Sequence, residues 1–142
     1  MTPQRVTLVT LGVEDLDRSR TFYTDLGWTP VEEQAGVVFY QMDGMALGLF
    51  GLDNLAEDQG RPGADLGTGA MTLAQNFADR ASVDAAFQMA LVAGAEPLKV
   101  PEEVFWGGYS GYFADPDGHV WELAHNPFWE LDASGRLTIP ET

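Results

Sequence analysis

The sequence predicts an α+β fold made of two βαβββ modules. Three observations carry the prediction. Short apolar strand candidates surround one amphipathic helix in each half, cap and stop residues recur at a common spacing, and a polar segment separates the halves. The 142 residues suit a single domain spanning 1–142, divided into a first module at 5–51, a linker at 52–68, a second module at 69–126 and a C-terminal extension at 127–142.

Arg5 to Val13 is rich in Val, Leu and Thr and reads as the first strand. Asp15 offers an oxygen to the free amides of a helix start, and Leu16, Tyr23 and Leu26 follow at helical spacing. Gly27 can take the left-handed conformation that ends a helix, and Pro30 prevents its resumption. Strands are expected at Trp28–Glu33, Gly36–Met42 and Met45–Gly51, with turns at Ala35-Gly36 and Asp43-Gly44. Residues 52–68, with Asp53, Glu57, Asp58, Gly60, Pro62, Gly63 and Asp65, read as an exposed linker.

The pattern then restarts. Gly69–Phe77 is a strand candidate. Ser82 is expected to cap a helix whose apolar stripe is Val83, Phe87, Ala90 and Leu91, closed by Gly94 with Pro97 beyond. Asp15 to Ser82, Gly27 to Gly94 and Pro30 to Pro97 are each 67 residues apart, which points to a duplication. Strands follow at Glu96–Val100, Tyr109–Ala114 and Val120–His125, the last two joined by an Asp115-Pro116-Asp117-Gly118 turn. The extension carries Pro127-Phe128-Trp129 and Leu137-Thr138-Ile139 around Asp132-Ala133-Ser134-Gly135. It is expected to pack as a short hairpin over the sheet or across a dimer seam.

Leu11-Gly12-Val13-Glu14-Asp15, Ser19 with Phe22-Tyr23 and Leu26-Gly27, and the run from Gly107 through Asp115-Pro116-Asp117-Gly118 to Glu122 together resemble the vicinal oxygen chelate superfamily. That superfamily includes glyoxalase I, bleomycin-resistance proteins, fosfomycin-resistance enzymes and extradiol dioxygenases. The resemblance covers roughly residues 5 to 126 and implies a glyoxalase-like fold, with curved mixed sheets around a cavity. It does not fix a reaction, because the scaffold hosts several chemistries.

In metal-containing relatives the ligands come from four strands facing that cavity. The resemblance places the corresponding positions at Leu8, Gly48, Gln75 (by the 67-residue offset from Leu8) and Glu122. Leu8 and Gly48 bring no ligating side chain, and a first-row catalytic site usually takes three ligands from protein. The expectation is a cavity without the usual divalent metal, with no other cofactor indicated. Glu122 is the candidate catalytic residue, since a carboxylate held among apolar groups needs a partner and suits general-base work. Gln75 can donate and accept toward a carbonyl-bearing ligand or serve as that partner. Phe105, Trp106 and Tyr109, with Tyr40 and Phe50, are candidates for lining a small-molecule site. His119, after its tight turn, is expected to face solvent, and His125, on the strand face opposite Glu122, to have a half-buried structural role.

Three functions follow from the resemblance. The first is a metal-independent protein binding a small carbonyl or aromatic compound, acting as a lyase or isomerase through Glu122 if it turns over at all. The second is a metal-dependent glyoxalase-type lyase. The third is a drug-sequestering protein like the bleomycin-resistance members, to which an acidic surface would be suited. The charge of −15, from 22 acidic and seven basic side chains, argues against nucleic acid and anionic membranes as partners. No cysteine is present, which removes thiolate chemistry and disulfides and suits a cytoplasmic setting. No signal peptide or membrane span is read in the sequence. A homodimer is expected, with pairing of modules within one chain or across the dimer both left open.

Overall fold

The computed structural model describes residues 2–34 and 36–141. The chain forms two compact units, Met1–Gly67 and Thr68–Thr142. Unit one contains β1 (Leu8–Val13), α1 (Leu16–Asp25), β2 (Glu32–Gln34), β3 (Val37–Gln41), β4 (Ala46–Gly51) and α2 (Leu52–Asp58). Unit two contains β5 (Thr72–Asn76), α3 (Arg80–Val92), β6 (Glu96–Glu103), β7 (Tyr109–Ala114) and β8 (Val120–His125). Each holds an open four-stranded sheet, in the orders β1-β4-β3-β2 and β5-β8-β7-β6. In both, the first strand runs parallel to the last and the remaining pairs are antiparallel. The expected α+β fold of two βαβββ modules is what the chain adopts.

Helices α1 and α3 end alike. Gly27 and Gly94 take φ of 102° and 101°, a region that costs glycine little. Trp28 N–H then reaches Tyr23 O at 3.1 Å and Ala95 N–H reaches Ala90 O at 2.9 Å, closing the last turn. The starts differ from expectation. Asp15 caps α1 as read, its side chain accepting from Arg18 N–H, but the cap of α3 is Asp79, accepting from Ser82 N–H at 2.7 Å. Ser82 is therefore inside the first turn. The true caps lie 64 residues apart, and α3 has 13 residues where α1 has 10. The 67-residue repeat holds for the helix ends, and the extra three residues sit within α3.

Other boundaries move as well: β1 begins at Leu8 and not at Arg5, and β5 at Thr72 and not at Gly69. Trp28 leaves the expected second strand because its ring stacks on Tyr23 at 5.3 Å, so β2 begins only at Glu32. The segment read as an exposed linker begins with α2, whose Ala56 is buried and whose Leu52 and Leu55 side chains lie over Gly12. β6 runs on to Glu103 through Pro101; as an edge strand it tolerates proline, and bulges break its pairing around Lys99. The Asp43-Gly44 turn forms as read, with Met42 N–H on Met45 O at 2.8 Å. The Ala35-Gly36 turn involves Ala35, which lies outside the described residues.

Each sheet buries one face beneath its helix. In unit one Leu11, Val13, Leu47, Leu49, Val38 and Tyr40 form that core with Phe22 and Tyr23. In unit two Val83, Phe87 and Ala90 of α3 share it with Phe113, Trp121 and Leu123. The opposite faces carry the mixed and polar residues, and candidate chemistry is found there. The C-terminal extension pairs Leu131 with Leu137 around a turn in which Asp132 accepts from Ser134 and Arg136 N–H. Among the described residues no helix is long and apolar enough to cross a membrane.

Candidate functional site

The Asp115-Pro116-Asp117-Gly118 turn sets the geometry of the second module. Asp115 is buried, and its Oδ1 accepts from Asp117 and His119 N–H at 2.9 Å each. This clamps the turn so that Ala114 pairs with Val120 and, two steps outward, Tyr112 with Glu122. Directly opposed residues project from the same face of a sheet. Trp121 and Leu123 are buried on the helix side, so Glu122 stands half-buried on the open side with Tyr112 beside it. A row runs across four strands: Ala74, Glu122, Tyr112 and Lys99. Burial first, and then the charge of Glu122 and a hydrogen bond to it, push the Tyr112 phenol above its ordinary 10.0. Tyr112 is thus a protonated donor at neutral pH. Lys99 Nζ lies 3.4 Å from Glu102 Oε1.

Two expected companions of Glu122 lie on the other face. Gln75 pairs with Leu123, which turns its side chain toward the helix layer. The reason is the shifted cap: seven residues before Asp79, the position matching Leu8 before Asp15 is Thr72, so the 67-residue offset overshoots on β5. Tyr109 is also on the helix side. Its hydroxyl donates to Asp84 Oδ1 at 2.6 Å, the Arg80 guanidinium lies 5.0 Å from its ring centre, and Arg80 reaches Glu103 at 3.4 Å. The hydrogen bond to Asp84, followed by desolvation, raises the Tyr109 phenol. His125 is its cross-strand neighbour, with Nδ1 2.9 Å from Phe77 O. A carbonyl can only accept, so Nδ1 carries the proton. His119, expected to face solvent, is half-buried instead, because its N–H is drawn onto the buried Asp115 carboxylate.

In the first module, Leu8, Thr10 and Gly48 occupy the open face together with Phe39 and Phe50. Phe39 fills the place a ligand side chain at position 48 would take. A Cβ on Gly48 would lie 3.2 Å from its ring and 3.4 Å from Thr10 Oγ1. Phe50 is half-buried on that face. Tyr40 is not there: it is buried on the helix side, 6.1 Å from both Tyr23 and Trp28 between ring centres. Period-two alternation separates Tyr40 from Phe39, and only the pairing shows which of the two faces α1.

The aromatic turn before β7 is also placed differently from expectation. Phe105 is fully exposed and lines nothing within its unit, whereas Trp106 lies across Gly108. Phe128 of the extension covers Gly107, where a Cβ would sit 3.3 Å from its ring.

Within each module these positions offer a divalent cation little. In the first, Leu8 is apolar and Gly48 has no side chain and lies under Phe39; in the second, Gln75 faces the helix layer and Glu122 supplies one carboxylate. Among the described residues no three His, Asp or Glu side chains cluster as a metal site would require. The arrangement can accept a proton at Glu122 and donate a hydrogen bond at Tyr112. Tyr112 is absent from the sequence expectation, although counting outward from the turn at 115–118 identifies it as the partner of Glu122.

Comparison with known proteins agrees with this architecture. A glyoxalase-related enzyme from Fulvimarina pelagi is 38% identical, superposes with a TM-score of 0.91, and is covered over 100% of its length by 98% of this chain. A glyoxalase/bleomycin resistance protein/dioxygenase from Nocardioides has the same fold, with a TM-score of 0.75 at 23% identity over 88% of this chain and 85% of that one. A 41-residue stretch is 51% identical to an uncharacterized protein from Mycobacterium bovis, spanning 29% of this chain and only 27% of that relative. The model of the Glyoxalase/Bleomycin resistance protein/Dioxygenase superfamily matches residues 5–123, and the chain belongs to that superfamily.

Proposed function

We propose that this protein binds a small carbonyl or aromatic compound against the open face of its second module, without the metal usual in its superfamily, and acts as a lyase or isomerase through Glu122. The observation that carries the reading is the Glu122–Tyr112 pair, a half-buried carboxylate beside a protonated phenol, in a sheet face that also carries Ala74, Asn76, Ser110 and, beyond Tyr112, Lys99. A carboxylate held there has a partner that offsets its desolvation, and it retains a second oxygen for a ligand. The donor set at Leu8, Gly48 and Gln75 supports metal independence, and the likeness to the Fulvimarina protein supports an enzyme. The lack of cysteine supports a cytoplasmic setting. Exposed Val6, Leu8 and Leu98 support a homodimer, which sedimentation velocity tests.

Thermal-shift measurements on chelator-treated protein with hydroxyketones, 2-oxoaldehydes and aromatic aldehydes test the binding claim. Binding to the folded state alone at 100 times Kd stabilises by about 2.7 kcal/mol, a readily measured shift. The expected result is a ligand-dependent rise in Tm that Glu122→Gln removes. Retention of the rise in Glu122→Gln would move the site elsewhere, and one equivalent of tightly held metal by elemental analysis would end the metal-free reading.

A further inference from the structure

We propose that Lys99 forms an anion subsite on the open face of the second module, so that the ligand of that face is a carbonyl compound carrying a carboxylate. The inference rests on the binding reading given above and adds to it a recognition residue and a substrate class. Lys99 is the only lysine in the chain, one of seven basic residues set against 22 acidic ones. Two register shifts in β6 bring it to this face. Pro97 pairs with Phe113, so an unbroken ladder would set Leu98 opposite Tyr112 and turn Lys99 toward the helix layer opposite Gly111. The first shift admits one extra residue and sets Lys99 opposite Tyr112. The second does the same for Glu102, which meets Ser110. Bulges of this kind re-aim side chains, and here an ammonium takes the place of a leucine that is left exposed.

Neighbouring strands lie about 4.8 Å apart, so Lys99 and Glu122, two strands apart in one row, are separated by roughly 10 Å at the backbone. A row with a carboxylate at one end and an ammonium at the other orients what lies along it. An anionic group is repelled at Glu122 and attracted at Lys99, which directs the carbonyl end of the ligand toward Glu122. The Lys99 side chain is 41% exposed, and its ammonium lies 3.4 Å from Glu102 Oε1. That pair is open to water and weakly held, and an ammonium has three donors, so a ligand carboxylate can share Lys99 with Glu102 or displace it. Charges more than about 8 Å away are largely screened at physiological salt. What an anion meets at this spot is therefore set by Lys99 and its immediate neighbours rather than by the net charge of −15. Lys99 brings a single positive charge, which matches a carboxylate; a phosphate dianion would leave one charge unmet in an acidic protein.

The test is a matched pair of probes, para-acetylbenzoate and its methyl ester, given to chelator-treated protein, with affinity read from the dependence of Tm on probe concentration. Wild-type protein is expected to hold the acid about 10-fold more tightly than the ester, the gain of one charge-assisted hydrogen bond, and to lose that preference as salt is raised. Lys99→Met should bind acid and ester alike, and Lys99→Arg should retain the preference. Should the methionine variant fold poorly, reductive methylation of wild-type protein with isotopically labelled formaldehyde gives a single dimethyl-lysine NMR resonance, which should move with the acid and stay still with the ester. Equal affinity of wild type for the two probes, a preference that survives in Lys99→Met, or a resonance indifferent to the acid overturns the Lys99 subsite and leaves the binding reading standing. No rise in Tm with either probe overturns the carboxylate class, and it overturns the binding reading as well only when the neutral carbonyl compounds named above also give none.

Discussion

Gly111 lies beside Tyr112, and the structure assigns it a steric role that can be measured. A Cβ at this position would sit 2.8 Å from Lys99 O, Pro101 N and Pro101 Cγ. Two of those are backbone atoms of β6, at the bulge that brings Lys99 opposite Tyr112. An ordinary contact needs about 3.5 Å, so β6 would have to withdraw by roughly half an ångström or more along its bulged stretch. Overpacking of this kind costs about 1–3 kcal/mol, and rigid backbone on the receiving side places Gly111→Ala at the upper end. Replacing a strand glycine returns about 0.5–1 kcal/mol of chain entropy, leaving a net loss of roughly 2 kcal/mol. Gly48→Ala is the internal comparison. Its Cβ would meet the Phe39 ring at 3.2 Å, and a half-buried side chain can tilt where a backbone cannot. Its cost should nearly cancel the entropy gain and fall within about 1 kcal/mol of wild type. Urea denaturation of the three proteins with a shared m-value reads both numbers, and a fall in Tm of roughly 6–8 °C for Gly111→Ala is the thermal counterpart. Equal stability of the two variants would refute the argument that β6 backbone packs against Gly111.

Asp79→Ala should destabilise the protein more than Ser82→Ala, since Asp79 is the cap of α3; equal losses in thermal melts would argue against that assignment. Hydrogen bonds from the Ser82 hydroxyl and then from its N–H hold the Asp79 carboxyl below its ordinary 3.8, so the stability it contributes is present above about pH 4 and is lost as pH falls through the lower folded value. Asp79→Asn should flatten that part of the acid-denaturation profile. Tyr112 has the opposite sign: its folded value is raised, so its contribution is present below pH 10.0 and lost as pH rises through the folded value. Tyrosinate absorbance should therefore show late-titrating tyrosines, Tyr40, Tyr109 and Tyr112, with one fewer in Tyr112→Phe and one moved to lower pH in Glu122→Gln. Tyr109→Phe removes the 2.6 Å bond to Asp84 on the opposite face, and should leave the ligand-dependent rise in Tm unchanged.

The parts of this molecule written in local chemistry are legible in its sequence. Aspartate before an apolar stripe, glycine after it and a proline beyond specify a helix wherever they occur, and they place α1 and the end of α3 correctly. Asp115-Pro116-Asp117-Gly118 specifies the last hairpin because the Asp115 carboxylate satisfies two turn amides by itself. Facing is different in kind. Whether Tyr40 or Phe39, Gln75 or Ala74, Tyr109 or Tyr112 meets the open side depends on register, and a displacement of one residue exchanges the two faces completely. The 67-residue repeat measured at helix ends carries no information about the strand before α3, because Asp79 rather than Ser82 caps that helix and three residues enter between strand and stop. The hairpin turn, by contrast, fixes its own register, and pairing outward from it reaches Tyr112 opposite Glu122 with no offset assumed. Residues of a duplicated fold are therefore better assigned from the nearest turn than from the distant copy, since a turn transmits parity through hydrogen bonds whereas a repeat transmits it only if neither helix has gained or lost part of a turn.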